Sequence, residues 1–403
     1  MPAPHGSAYF SPVPERPIRV LLVDDQPLVG QTVQRIFADQ PDIDFRFCQD
    51  PVAAIETANE FRPTVILQDL VMPDVDGLLL VKYYRANAGT RQTPLVVLSS
   101  KEEPVIKAKA FALGANDYMV KLPDRLEVLA RVRYHSQGYI HLLERNEAYD
   151  EIAKSRNEMA AELRQASRYV QSLLPEKLTN GPVTINWRFV PSTQLAGDMF
   201  GYTWLDADNL AIYLLDVSGH GVGSALLAVS ASNLLAAQSL PGVDPRDPGA
   251  VITALNGIFQ MDRQDGKYFT IWYGVYQASE RKLAYCNAGH PPAFLWKNGP
   301  VEQLEADGPG VGMIPDMPFE TRVTEVPPGS RLLVYSDGVF EIEKPDGNMW
   351  QFEQFLNHIQ EQFGSEGLID NHLGYARGLR GGDVLGDDFS MVEARFGAAT
   401  IPS

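Results

Sequence analysis

The chain has 403 residues, 45% of them hydrophobic, which is enough for two or more buried cores. Its formal net charge of −17 argues against nucleic acid or an anionic membrane as the main partner. No run of about 20 apolar residues occurs, so no transmembrane span is expected, and Cys48 and Cys286, without metal-ligand spacing, fit a reducing, cytoplasmic compartment.

Residues 1–16 are proline-rich and lack an apolar signal core, so they are expected to form a disordered leader. From Ile18, the short apolar runs IRVLLV, FRFC, TVILQ, PLVVL and DYMV alternate with amphipathic segments. That alternation predicts a doubly wound α/β domain with a parallel sheet over residues 17–137. Such sheets carry their functional groups at the carboxyl ends of the strands. Asp24 and Asp25 follow the first run, Asp69 the third, Ser99 the fourth and Lys121 the fifth. Three carboxylates at one edge repel one another unless a cation joins them, and Mg2+ would satisfy them while orienting a phosphoryl donor.

This segment resembles the receiver domains of two-component response regulators. On that resemblance Asp69, within QDLVMPDVDG, is the residue phosphorylated by a histidine kinase, and Asp24, Asp25 and Asp69 hold Mg2+. Ser99, Tyr118 and Lys121 match the switch residues: the hydroxyl that senses the phosphoryl group, the aromatic that rotates, and the invariant lysine. The family's usual Lys-Pro is here Lys121-Leu122-Pro123. The KLPD variant, with LQDLVMP, is similar to receivers fused to diguanylate cyclases, but no GGDEF-like stretch follows.

Leu126 to Leu174 contains no proline and one glycine, Gly138. A heptad frame places Leu142, Tyr149, Leu163 and Val170 at a, and Ile152, Met159, Ala166 and Leu173 at d, with Arg145 and Arg156 as interruptions. At 1.5 Å per residue this helix would reach roughly 70 Å. A long helix with one apolar stripe needs a partner, and the simplest is its own copy in a parallel homodimer; packing of the stripe on the chain's own domains is the other arrangement. Residues 138–182 are therefore expected to form a coiled-coil stalk and linker, with Pro175 ending the helix.

Residues 183–398 read as strand-rich with helical stretches, an α+β sandwich. Helices are expected at Ser224–Ser239, Pro248–Arg263, Trp350–Phe363 and Ile369–Leu379. Strands are expected at Leu210–Leu215, Tyr268–Tyr276, Lys282–Ala288 and Arg331–Ser336. Aspartates stand at strand edges beside glycine turns in AGD (Asp198), DVSGHG (Asp216), SDG (Asp337) and GDD (Asp387, Asp388). Carboxylate and carbonyl oxygens at such turns suit magnesium or manganese, and four separated sites suggest one metal centre assembled from distant pieces.

The order GD, DVSGHG, NAGHPP, SDG, GDDFS resembles the SpoIIE-like branch of the PPM-type serine/threonine phosphatases, over roughly Asn186 to Phe396. The resemblance implies a site for two Mn2+ or Mg2+ ions, held by Asp198, Asp216, the Val217 carbonyl, Asp337 and Asp387, with Asp216 bridging; Asp388 fills a position that the family often gives to a polar partner, to hydrogen-bond or to ligate. Two ions about 3.5–4 Å apart bind both the attacking and the accepting oxygens, so no protein nucleophile is required. His220 suits a general acid or a turn residue, and His290 reads as structural. The family's usual Gly-Gly-Asp is Ala196-Gly197-Asp198 here, which is tolerable where φ at Ala196 is negative. No arginine matches a phosphate clamp.

The expected whole is a multidomain response regulator whose phosphorylation at Asp69 controls a metal-dependent serine/threonine phosphoprotein phosphatase. By resemblance its substrate is a phosphorylated anti-anti-sigma protein. The rival readings are a non-catalytic adaptor holding a sigma factor or its antagonist, and a phosphatase for a small phosphoester.

Overall fold

The computed structural model describes residues 16–73, 75–100, 103–121, 123–192, 195–305 and 308–397. The expected leader lies almost entirely outside the described residues, as does Leu122. The chain divides into two compact units, Met1–Arg156 and Asn157–Ser403. Among the described residues no helix is long and apolar enough to cross a membrane.

The first unit contains β1 (Ile18–Val23), α1 (Pro27–Phe37), β2 (Ile43–Cys48), α2 (Ala54–Phe61), β3 (Val65–Asp69), α3 (Gly77–Ala86), β4 (Leu95–Ser99), α4 (Pro104–Ala112), β5 (Asp117–Val120) and the first part of α5 (Arg125–Ser172), which continues into the second unit. The strands form one parallel sheet in the order β2-β1-β3-β4-β5. Every residue of β3 and β4 is buried because helices cover both faces, which is why these strands read as unbroken apolar runs. Leu21, Val23, Ile66 and Val97 pack on one side with α2 and α3. Val20, Leu22, Leu67 and Val96 pack on the other with α1 and the start of α5. The strand order reverses beside β1, which puts Asp24 and Asp69 at the edge where such sheets bind ligands.

Helix α5 has 48 residues and behaves differently along its length. Its first part belongs to the parallel-sheet unit, where Val128, Val132 and Ile140 are buried. Its middle is exposed, including Tyr149, Ile152 and Met159 and the two arginines Arg145 and Arg156. Its last turns serve the second unit, where Val170 is buried and Leu163 and Leu173 pack on the same core. The a/d stripe is therefore not one seam: its C-terminal third is covered within the chain.

The second unit is a four-layer sandwich. It contains β6 (Val183–Val190), β7 (Asp198–Trp204), β8 (Asn209–Val217), α6 (Val222–Ala236), α7 (Pro248–Ile258), β9 (Phe269–Gln277), β10 (Lys282–Ala288), β11 (Ala293–Trp296), β12 (Val301–Leu304), β13 (Arg322–Glu325), β14 (Arg331–Tyr335), α8 (Phe352–Gln362), α9 (Leu368–Arg380) and β15 (Phe389–Phe396). Two antiparallel sheets run in the orders β13-β10-β9-β8-β7 and β12-β11-β14-β15-β6. Alternation divides each strand between two cores. Phe200, Ile212, Leu214 and Trp272 meet Ile185, Leu295, Val334 and Val392 between the sheets. Tyr213 and Leu215 face α6 and α7, the alanine-rich α6 packing closely through Ala225, Ala228 and Ala231. Leu333, Tyr335 and Met391 face Phe355, Ile359 and Leu373 of α8 and α9.

Strands β14 and β15 are locked where they leave the sheet. Ser336 N–H donates to the Ser390 carbonyl (3.0 Å), the Ser336 hydroxyl donates to the Asp388 carbonyl (3.1 Å), and Ser390 N–H donates to the Ser336 hydroxyl (3.2 Å). Gly338 then passes so close that a β-carbon there would lie 2.2 Å from the Asp388 carbonyl oxygen. Gly338→Ala should therefore cost about 1–3 kcal/mol in equilibrium urea unfolding, because backbone rather than a movable side chain must yield. Gly364→Ala, where nothing stands within 4 Å, should stay within about 0.5 kcal/mol of the parent.

Candidate functional site

Two acidic sites form, one in each unit, and they offset their charge differently. At the carboxyl edge of the parallel sheet, Asp24, Asp25 and Asp69 bring carboxylate oxygens within 4.8 Å of one another. Asp24 and Asp69 are buried. Lys121, just past β5, reaches both, with Nζ 2.7 Å from Asp24 Oδ2 and 2.8 Å from Asp69 Oδ2. Burial pushes the Asp24 carboxyl up, and the bond from Lys121 pulls it partly back. Burial draws the Lys121 ammonium down, but its two carboxylate partners more than reverse this. One oxygen of Asp25 is buried with no hydrogen-bond partner. An orphaned carboxylate oxygen beside two others is the donor set a hard divalent cation accepts, so the residues fit Mg2+. Ser99, at the end of β4, and Tyr118, in β5, are both buried. Lys107 Nζ lies 5.4 Å from the centre of the Tyr118 ring.

In the second unit the carboxylates arrive from both sheets. Asp198 opens β7 and is registered opposite Asp216, near the end of β8, which is itself opposite Thr270 of β9. Asp337 follows β14 in a 3-10 turn, and Asp387 precedes β15. The matching ends of two stacked sheets thus converge. Asp216, Val217, Asp337 and Asp387 line one cavity of about 360 Å³ with Ser192, Ser218, Gly219, His220, Tyr268, Thr270 and Gly386. No lysine or arginine is among those lining residues. Lys267 lies behind the glycine turn, its Nζ 3.1 Å from Ser224 Oγ.

Crowding without a cation raises every one of these acids. Burial, then the charges of Asp216 and Asp388, hold the Asp198 carboxyl well above its ordinary range. Burial, with Asp337 and Asp387 nearby, pushes Asp216 up to about 8. Burial, with Asp387 and Glu341, pushes Asp337 up to about 6. Burial raises Asp387, and the bond from the Asp388 amide draws it partly back. Asp198 Oδ2 is buried without a hydrogen-bond partner. The donor set is oxygen only, which suits Mn2+ or Mg2+. Among the described residues of this unit no three carboxylates close within 4.8 Å, as they do in the first.

Asp388, expected to hydrogen-bond or to ligate, accepts hydrogen bonds on both oxygens. Its Oδ1 accepts from the Ser192 amide (2.8 Å) and hydroxyl (2.9 Å), and its Oδ2 accepts from the Gly197 amide (2.8 Å). With a partner on each oxygen, it ties the β6–β7 loop to the start of β15 and so positions Asp198. Gly197 is required there, since a β-carbon would meet the Val217 carbonyl oxygen at 2.9 Å. Ala196 is not among the residues with positive φ, so the methyl that departs from Gly-Gly-Asp costs no left-handed strain. His220 is exposed at the rim, close enough to Asp387 to ease its ionisation.

Sequence reasoning missed Thr270, because only the strand register puts it beside Asp216. His290, taken as structural, is buried, pushed down to about 3 by that burial, and linked through Nδ1 to Thr270 Oγ1 at 2.9 Å. Its turn is closed by Asn287, whose side chain bonds both the amide and the carbonyl of His290.

A folded carboxyl with a raised pKa binds its proton more tightly than the unfolded chain does, so folding gains from protonation. With a chelator present, stability should rise as the pH falls from about 8, through the Asp216 and Asp337 values, towards 3.8. Added Mn2+ should stabilise most at the alkaline end, where the carboxylates are ionised. Thermal unfolding between about pH 5.5 and 8 measures both; a chelated protein whose stability is flat or rises with pH would contradict the crowding.

Known proteins share these features. The response regulator receiver domain model matches residues 20–133, and the model for Stage II sporulation protein E (SpoIIE) matches residues 206–397. Phosphoserine phosphatase RsbP of Bacillus subtilis is 32% identical over 200 residues, 49% of this chain and 49% of that protein. Regulator of RpoS of Escherichia coli is 27% identical over 282 residues, 66% of this chain and 83% of that one. The SiaA-PP2C domain of Pseudomonas aeruginosa superposes with a TM-score of 0.52 at 19% identity, over 60% of this chain and 99% of that one, a likeness of fold. The chain spans about half the length of the first curated relatives it matches.

Proposed function

The chain joins an N-terminal response regulator receiver domain to a C-terminal SpoIIE-family domain, and we propose that it is a metal-dependent serine/threonine phosphoprotein phosphatase controlled by phosphorylation of Asp69. The observation that carries this reading is the cluster of four aspartates from two sheets, all with raised affinity for protons, three of which (Asp216, Asp337 and Asp387) line one cavity without a lysine or arginine. Asp198, Asp216, Asp337, Asp387 and the Val217 carbonyl are the groups that would hold two Mn2+ or Mg2+ ions, with Asp216 between them. Bound there, the ions would supply the positive charge that a transferring phosphoryl group needs and activate water at neutral pH. Asp388 positions Asp198 through the loop. His220 stands at the rim, where it can donate a proton to the leaving serine oxygen.

In the receiver, Lys121 already bonds Asp69, so a phosphoryl group there would redistribute the contacts of Lys121, Ser99 and Tyr118. Its donor would be a histidine kinase, and a cytoplasmic location goes with that reading. Helix α5 is the element common to both domains, and its exposed Tyr149, Ile152 and Met159 would pair with those of a second copy as a short parallel coiled coil. The substrate class is a phosphorylated anti-anti-sigma protein in a partner-switching pathway, supported by the similarity to phosphoserine phosphatase RsbP. A second reading, a non-catalytic adaptor for a sigma factor or its antagonist, draws on the likeness to Regulator of RpoS, which spans both domains.

Turnover of p-nitrophenyl phosphate with Mn2+, with and without beryllium fluoride as a mimic of phospho-Asp69, tests the reading. Asp216→Asn should lower kcat about a hundredfold or more. Asp69→Ala should remove the response to beryllium fluoride while leaving turnover measurable. No turnover on this compound or on a phosphorylated anti-anti-sigma protein, with partner binding retained, would leave the adaptor.

A further inference from the structure

A second cavity, of about 410 Å³, opens beside the carboxylate cavity and shares Thr270 and Asp337 with it. Its remaining walls are Gly289, His290, Pro291, Pro292, Phe340, Glu341 and Phe352. Resting on the phosphatase reading above, we infer that this cavity is a specificity subsite that takes a lysine or arginine side chain flanking the phosphoserine of the substrate.

Position comes first. A phosphoserine whose phosphate lies among Asp216, Asp337 and Asp387 must lead its peptide out of that cavity, and the neighbouring space is the one that shares Asp337 and Thr270 with it as walls. The walls are built to hold shape. Pro291 and Pro292 have fixed φ, and the turn that carries them is pinned by the two Asn287–His290 bonds of 2.7 and 2.8 Å. Phe340 is buried and packs edge-on against Phe352, with ring centres 5.2 Å apart. His290, buried and held neutral, contributes no positive charge.

Chemistry then selects the occupant. Proline and phenylalanine surfaces suit an apolar stem, and aromatic faces attract a cation. Glu341 is exposed, its backbone is held by a 2.8 Å bond from its amide to the Asp337 carbonyl, and it presents a carboxylate to the cavity. No lysine or arginine lines the cavity, and among the described residues Glu341 forms no ion pair. A long side chain with an apolar stem and a cationic head complements all three features. An acidic flanking residue would meet Glu341 as a like charge. The net charge of −17 favours approach of the same kind of partner.

The test uses the full chain with Mn2+ and matched phosphoserine peptides that differ only in the residues beside the phosphoserine: lysine or arginine, leucine, or glutamate. Basic-flanked peptides should exceed acidic-flanked ones in kcat/KM by about fivefold, mainly through KM. Glu341→Gln should flatten that ratio and Glu341→Lys should invert it. The ratio between peptides is the readout, because a charge removed near Asp337 alters the rate on all substrates together. Preference for leucine, equal rates on all peptides, or a ratio unmoved by Glu341→Lys would overturn the subsite while p-nitrophenyl phosphate turnover kept the phosphatase. Absence of turnover on the peptides and on p-nitrophenyl phosphate would remove both.

Discussion

Mutual repulsion among crowded carboxylates, from the fully buried Asp198 to the exposed Asp387, is the constraint around which the second unit is built. Asp198, Asp216, Asp337 and Asp387 are forced together by elements that have no interest in the charge. Two sheets stack through a core of Phe200, Leu214, Trp272, Leu295, Val334 and Val392, and the acids stand where the strands end. The cost of crowding appears in their raised proton affinities and in the orphaned oxygen of Asp198. It is offset by packing elsewhere and by backbone bonds that give the loops no room to relax. Asp388 holding Gly197, and Ser336 interlocked with Ser390, are the clearest cases.

The receiver meets a similar problem with a different device. Lys121 places a positive charge between Asp24 and Asp69, so two of the three acids are already paired, and one oxygen of Asp25 remains without a partner. A site with a built-in cation can change its bonding when one carboxylate is modified, because the lysine has a second partner to keep. The cavity of the second unit has no lysine or arginine in its lining. The first arrangement suits a switch and the second suits turnover.

Between these sites runs one helix whose residues answer to three environments. Its first turns complete the parallel-sheet core, its middle faces solvent, and its last turns complete the outer core against α6 and α7. A heptad frame drawn over the whole treats Leu163 and Val170 as equivalent to Tyr149, yet the first two are covered within the chain and the third is exposed. Periodicity reports which residues share a face; it does not report what covers that face.

Much was legible in the sequence because it depends on local pattern. Continuous apolar runs marked β1, β3 and β4, since strands covered on both faces have no polar side. Asp24, Asp69, Ser99 and Lys121 fell into place from their positions after those runs, and the glycine-flanked aspartates marked strand ends in the second unit. What the tertiary structure decided was whatever depends on register and on which sheet end meets which. Only the pairing of β8 with β9 sets Thr270 beside Asp216, and so makes it a wall of both cavities. Only the approach of β15 to the β6–β7 loop, across almost two hundred residues, gives Asp388 its hydrogen-bond partners. An aspartate beside an aspartate looks like a ligand in sequence. Where its oxygens point is settled by backbone amides that the chain brings from far away.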